Sequence, residues 1–179
     1  MKIRLIALLG FALLALFLSG CFFPEDQFTK SLPAQNVDLE KYLGSWYEIV
    51  RIPNWFEKDL VGVTATYSLK ENGEIEVKNQ GFIKTLDGEK KIAIGRAWIP
   101  DQNKTGRLKV SFFGPFAGDY IIIELDPDYQ YALVGSSQDL LWILSRTPQL
   151  DEAIYQNLLS RASSLGYDIN RLEKVEQAE

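Results

Sequence analysis

The chain predicts an all-β fold: eight antiparallel strands wound up and down into a barrel, with one α-helix packed outside it near the C-terminus. Three observations carry this expectation. Short apolar or alternating runs recur between residues 42 and 146, with turn residues between them at even intervals, which is the spacing of a sandwich or barrel. Several runs alternate strictly, giving one dry face and one wet face. A single helical stripe then follows the last run. Eight is also the strand number at which a closed barrel can hold one small ligand.

The first element is not part of the barrel. Lys2 and Arg4 precede an unbroken apolar run from Leu5 to Leu18, and Leu18-Ser19-Gly20-Cys21 follows. A basic start, a short apolar stretch and small residues at the end make a secretory signal over residues 1–20, cleaved in the mature chain. The run is shorter than the ~20 residues of a spanning helix, which disfavours an uncleaved anchor. With cysteine directly after the small residues, the segment resembles a bacterial lipoprotein signal. The resemblance implies cleavage before Cys21, S-diacylglycerol on its sulfur and an acyl chain on its new amino group. Phe22 stands where aspartate would imply retention at the inner membrane. The implied location is therefore the periplasmic face of the outer membrane, with the lipid as anchor. Two or more acyl chains hold a protein stably where one does not.

Residues 21–38 read as the lipidated cysteine and a flexible tether. Pro24 and Pro33 interrupt them and no period is sustained. Fully extended, the tether would reach on the order of 55 Å. The remaining 39–179 suit one domain.

Composition narrows the chemistry. The chain has 179 residues, no histidine, one cysteine and a formal net charge of −5. Without a second cysteine there is no intrachain disulfide, so packing alone holds the fold. Without histidine there is no imidazole base and no His-ligated metal, so no metal site and no enzyme are expected. The acidic balance disfavours nucleic acid, whose phosphates need clustered Lys and Arg.

The strands are read at 45–51, 62–69, 75–82, 91–99, 107–113, 119–125, 131–136 and 140–146. Val63, Ala65, Tyr67 and Leu69 share one face of the second. Ile75 and Val77 oppose Glu76 and Lys78 in the third, and Leu108, Val110 and Phe112 oppose Arg107, Lys109 and Ser111 in the fifth. Asn72-Gly73 accepts the positive φ of a tight hairpin turn, and Asp126-Pro127-Asp128 is a second turn rather than a cation site. Ile121-Ile122-Ile123 and 140–144 are apolar on both faces, so their outer faces need a cover. Leu150, Ile154, Leu158, Ala162 and Leu165 give the stripe of a helix over 151–165 that can supply it. Asp151 and Glu152 suit its first turn and Gly166 its end.

Gly44-Ser45-Trp46-Tyr47 opens the first strand, Asp126-Pro127-Asp128-Tyr129 precedes the seventh, and Trp142-Ile143-Leu144-Ser145-Arg146 ends the eighth. In this order, over nearly the whole mature chain, these stretches resemble the lipocalin family, most closely its bacterial outer-membrane lipoproteins and more distantly apolipoprotein D. The resemblance implies that Trp46 and Arg146 meet at the closed end of the barrel, as structural residues. The tether would then leave from that end. The connections 52–61, 83–90, 114–118 and 137–139 would form the mouth, with Trp55, Phe56 and Phe116 on its rim. The inward residues Glu48, Val63, Ala65, Tyr67, Val77, Asn79, Val110 and Phe112 would line the ligand cavity. Glu48, near the closed end, would repel a fatty-acid carboxylate. The implied function is binding, storage or transport of a lysophospholipid or fatty acid, in membrane maintenance under stress, with a homodimer possible. A non-ligand interaction protein using the aromatic mouth is the alternative, and a lipocalin-fold enzyme a weaker one.

Overall fold

The computed structural model describes residues 26–178. Its eight long strands are β1 (Gly44–Arg51), β2 (Leu60–Leu69), β3 (Ile75–Ile83), β4 (Lys90–Trp98), β5 (Arg107–Phe113), β6 (Phe116–Leu125), β7 (Tyr131–Gly135) and β8 (Leu141–Ser145). Each is antiparallel to the next, and β1 pairs with both β2 and β8, which closes the barrel. Turn chemistry sets the connections. Gly73 takes φ +83° in the β2–β3 hairpin. The Asp126 carboxylate accepts the amides of Asp128 and Gln130, so turn donors occupy it.

The barrel wall separates two cores. Ile75, Val77, Ala97, Leu108, Ile122 and Val134 pack inside with Trp46 and Tyr67. Ile121, Ile123, Leu133, Leu141 and Ile143 point outward, where helix α3 (Glu152–Ser164) covers them with Leu158 and Ala162. Asp151 caps that helix by accepting the amides of Ala153 and Ile154. This is why β6 and β8 are apolar on both faces.

The helix does not cover the outer face alone, and here the expectation of a flexible tether is corrected over residues 26–38. Helix α1 (Gln27–Ser31) starts at an Asp26 cap, and Leu32 is fully buried in the outer core. The Thr29 hydroxyl donates to Ser136 O at 2.7 Å. The Arg107 guanidinium donates to the carbonyls of Thr29, Lys30 and Leu32. Gln35 then bonds the backbone of Ile122 and Ile123, and the Val37 amide donates to Thr105. The segment is a docked strap. Composition hides this, because the strap's burial comes from the outward isoleucines it covers and not from any period of its own.

A C-terminal element was also not foreseen. β1 and β2 pair only as far as Tyr47 and Thr64. Beyond that point the wall is completed by β9 (Glu173–Lys174), which pairs with Val50 and Arg51. The Gly62 amide donates to Glu176 O at 2.7 Å, and the Gln177 side chain donates to both Glu48 O and Val63 O. The C-terminus is a wedge in the barrel wall.

The opposite end is shut by helix α2 (Leu39–Tyr42) and by Arg146. The Arg146 guanidinium lies 3.8 Å from the Trp46 ring centre. It donates to the carbonyls of Lys41, Tyr42, Leu43, Ser45 and Tyr129.

Two outcomes follow from this packing. Arg146→Ala should cost about 3 kcal/mol in urea melts, since charged hydrogen bonds and a ring contact go together. Arg146→Lys should recover little, because an ammonium has no fork to span those carbonyls. Leu32→Ala should cost about 2–4 kcal/mol. A wild-type midpoint for Leu32→Ala would mean the strap is not docked in solution.

Candidate functional site

The barrel interior is built in levels by the strand register. At the bottom, Tyr42, Tyr67 and Tyr120 share their hydroxyls, with O···O distances of 2.7 and 2.8 Å, and the Trp46 indole donates to Tyr42 O. Burial raises all three phenols well above their ordinary range. Tyr67 itself lies in the level Tyr67–Val77–Gly95, and Trp46–Ala65–Asn79–Ala93 follows toward the mouth.

The structure divides the residues expected to line a cavity. Val63, Tyr67 and Val77 are buried; Tyr67 and Val77 belong to a packed floor with Ile75, Ala97, Leu108 and Ile122. Ala65, Val110 and Phe112 are half-buried at the edge of that floor. The Phe112 ring rests on Gly95, where an added Cβ would come within 2.8 Å of it. Asn79 holds a buried Oδ1 with no hydrogen-bond partner. Ser111, expected on the wet face, is buried, because β5 bulges against β6 between Val110 and Phe113.

The wall is open beside these residues. β4 and β5 pair only from Trp98–Lys109 to Arg96–Ser111. Toward the mouth, residues 90–94 of β4 are exposed, including Ala93, the register neighbour of Asn79.

Glu48 is buried, and its expected place near the closed end is corrected: it sits on the mouth side, with Arg51 at the end of β1 and Glu57 of the β1–β2 connection. Its carboxylate meets the Arg51 guanidinium at 3.0 Å, and Arg51 also bonds Glu173 and Leu60 O. Glu57, from the β1–β2 connection, is buried alongside. It accepts the Trp142 indole N–H at 3.1 Å and the Asn54 amide. Burial pushes the Glu48 carboxyl well up, the Glu57 carboxylate adds to this, and Arg51 opposes it.

Arg51, Glu57 and Trp142 were missed by sequence reading. A β-bulge between Glu48 and Val50 resets the inward parity, so Arg51 comes into register with Trp142 while Val50 joins the outer core. The available signal was a Glu–Arg pair three residues apart in an otherwise apolar strand.

At the mouth Trp55 is 81% and Phe116 77% exposed, with Phe56 and Phe113 also exposed. Trp55 and Phe56 meet edge-on at 5.6 Å yet stay in solvent. Phe113 and Phe116 pair across the β5–β6 hairpin. Cys21 lies outside the described residues.

Comparisons with known proteins agree with this geometry. Residues 37–177 match the family model described as a lipocalin-like domain. The outer membrane lipoprotein Blc of Citrobacter freundii is 46% identical over 143 residues, covering 79% of this chain and 80% of that protein. Mouse apolipoprotein D is 38% identical over 155 residues, covering 80% and 79%. Among solved structures, insecticyanin from the tobacco hornworm Manduca sexta superposes with a TM-score of 0.67 at 23% identity, covering 83% of this chain and 85% of that one.

The acid pair sets a pH dependence. Above the ordinary carboxylate range and below the raised Glu48 value, the folded chain holds a proton that the unfolded chain has released. Stability should therefore fall as pH rises through that window. Glu57→Gln keeps an acceptor for Trp142 but removes the neighbouring charge, so its decline should be shallower. Urea midpoints from about pH 4.5 to 8 would show it; superimposable profiles would mean the two carboxyls do not interact.

Proposed function

Because the chain belongs to the lipocalin family, we propose that it captures one lipid reversibly in its barrel while anchored through Cys21 to the periplasmic face of the outer membrane. The anchor in this reading is S-diacylglycerol with an acyl chain on the amino group of Cys21. The ligand is a lysophospholipid or fatty acid, and the occasion is maintenance of the membrane under stress. The observation that carries it is an apolar floor sealed at one end, with inward side chains toward the other end left half-exposed. Val77 and Tyr67 are buried in that floor, and Ala65, Val110 and Phe112 packed on it are only half-buried. The relatives named as outer membrane lipoproteins support the anchor.

An acyl tail would run down toward the floor with its head group left at the mouth. Burying ~15 methylenes at ~0.8 kcal/mol each gives about 12 kcal/mol gross. Association and ordering costs bring this to micromolar affinity or somewhat better. The polar cluster discriminates between the two ligands. Glu57 and Glu173 set two carboxylates about the guanidinium of Arg51, while burial holds the Glu48 carboxyl toward its protonated form. A zwitterionic head group carrying a cation suits that balance better than a bare carboxylate.

The mature body with Cys21→Ser, stripped of lipid, should bind lysophosphatidylethanolamine at one saturable site, more tightly than palmitate. Tryptophan fluorescence reads this directly, because Trp142 is bonded to Glu57 in the cluster. Ala65→Trp should fill the space over the floor and abolish the change while circular dichroism stays that of the wild type. No binding of either lipid by the folded body would sink the lipid reading and leave the aromatic mouth as a protein contact.

A further inference from the structure

We propose that the aromatic mouth docks on the bilayer that carries the anchor, and that the N-terminal strap holds it there. This rests on the reading that Cys21 bears the lipid.

The starting point is where the strap begins. Thr29 is bonded to Ser136, in the β7–β8 turn, one of the connections on the mouth side. Phe28 meets Tyr167 edge-on at 5.0 Å. Tyr167 lies just past the end of α3, which runs from the closed end after β8 up to the mouth. From there the strap descends outside the wall to Asp38, whose amide donates to the Tyr129 hydroxyl at the closed end. The body therefore starts beside its mouth, not at its closed end.

Chain length does the rest. Five peptide steps join Cys21 to Asp26, and whatever their path they reach no more than ~18 Å. A ten-residue strand such as β2, tilted as barrel strands are, stands roughly 25 Å tall. A lipid on Cys21 cannot pass the closed end, so the mouth is the end brought to the membrane.

The mouth is suited to that surface. Trp55 and Phe56 in the β1–β2 connection and Phe113 and Phe116 at the β5–β6 turn give it exposed rings on opposite sides of the rim, and tryptophan favours the bilayer interface. Two groups of exposed rings across one rim give a flat apolar surface two points of contact. The charges around them are mixed, with Lys58, Lys84 and Lys90 beside Asp59, Asp87 and Glu89. Docking is therefore apolar and indifferent to anionic lipid. A ligand could then pass between bilayer and barrel without crossing water.

The test uses the full lipidated protein in phosphatidylethanolamine vesicles, with nitroxide labels at Lys58→Cys beside the rim or at Glu71→Cys in the closed-end hairpin. The Lys58 label should lose most of its collisions with a water-soluble nickel chelate and gain collisions with oxygen. The Glu71 label should stay in water. Trp55→Ser with Phe116→Ser should restore nickel access at Lys58. So should a flexible insert of about 12 residues between positions 25 and 26, with a mean span of ~20 Å. Protection of Glu71 instead, water access at both labels, or protection only when phosphatidylglycerol is added would each overturn the proposal. Mass spectrometry of the mature N-terminus separates the failures. An unmodified Cys21 removes the anchor reading and this proposal with it, whereas a lipidated chain with a wet rim overturns the docking alone.

Discussion

The structure depends first on the guanidinium of Arg146. It sits at the end of β8, lies on the Trp46 ring of β1 and donates to the carbonyls at the end of α2. Those carbonyls are the unsatisfied acceptors that a helix terminus leaves behind. One planar cation thus joins the last long strand to the first and supplies the cap of the helix that plugs the barrel. Lysine could supply the charge but not the geometry. With this end sealed, access to the interior lies toward the mouth, where β4 and β5 also part.

The wall is finished by both chain termini. The strap covers the outward isoleucines of β6 beside α3, and the C-terminal wedge fills the gap where β1 and β2 part. Neither segment would hold a fixed shape in isolation. The strap is fixed by Arg107 and by the burial of Leu32, and the wedge by hydrogen bonds to Glu48, Ile49 and Gly62. Where no segment fills in, between β4 and β5 near the mouth, the sheet stays open and Ala93 beside Asn79 is left to solvent.

What could be read from the sequence divides along the same physical line. The strands, the Asn72-Gly73 hairpin and α3 were legible because local pattern specifies them: alternation in Val63–Ala65–Tyr67, a residue that tolerates positive φ, a stripe capped by Asp151. The two-sided apolar runs at 121–123 and 141–144 even announced that something must cover them. The strap itself was illegible because its prolines and polar residues describe a loop, while its burial is a property of the surface it lies on. Arg51 was illegible because a bulge is one extra residue that reverses every parity after it. Extending the alternation from Trp46 and Glu48 puts Val50 inside, where the structure puts Arg51. Glu57 and Trp142 were lost with it, since only Arg51 in its true position gathers them.

The bulge and the strap meet at the same end of the barrel. A barrel whose interior is wholly apolar would hold an alkyl tail with no preference for its head. The bulge brings the Arg51 guanidinium to the carboxyl groups of Glu48 and Glu57 on the mouth side of the floor, and burial makes each group costly unless matched. In the proposed reading, a head group would stop at those charges and its tail would continue toward the apolar floor. The strap meanwhile begins at that same end, beside Ser136. The features that would decide ligand polarity, route of entry and orientation in that reading are therefore gathered at one rim. They are placed there by a single extra residue in β1 and by a segment whose own sequence gives it no reason to be ordered.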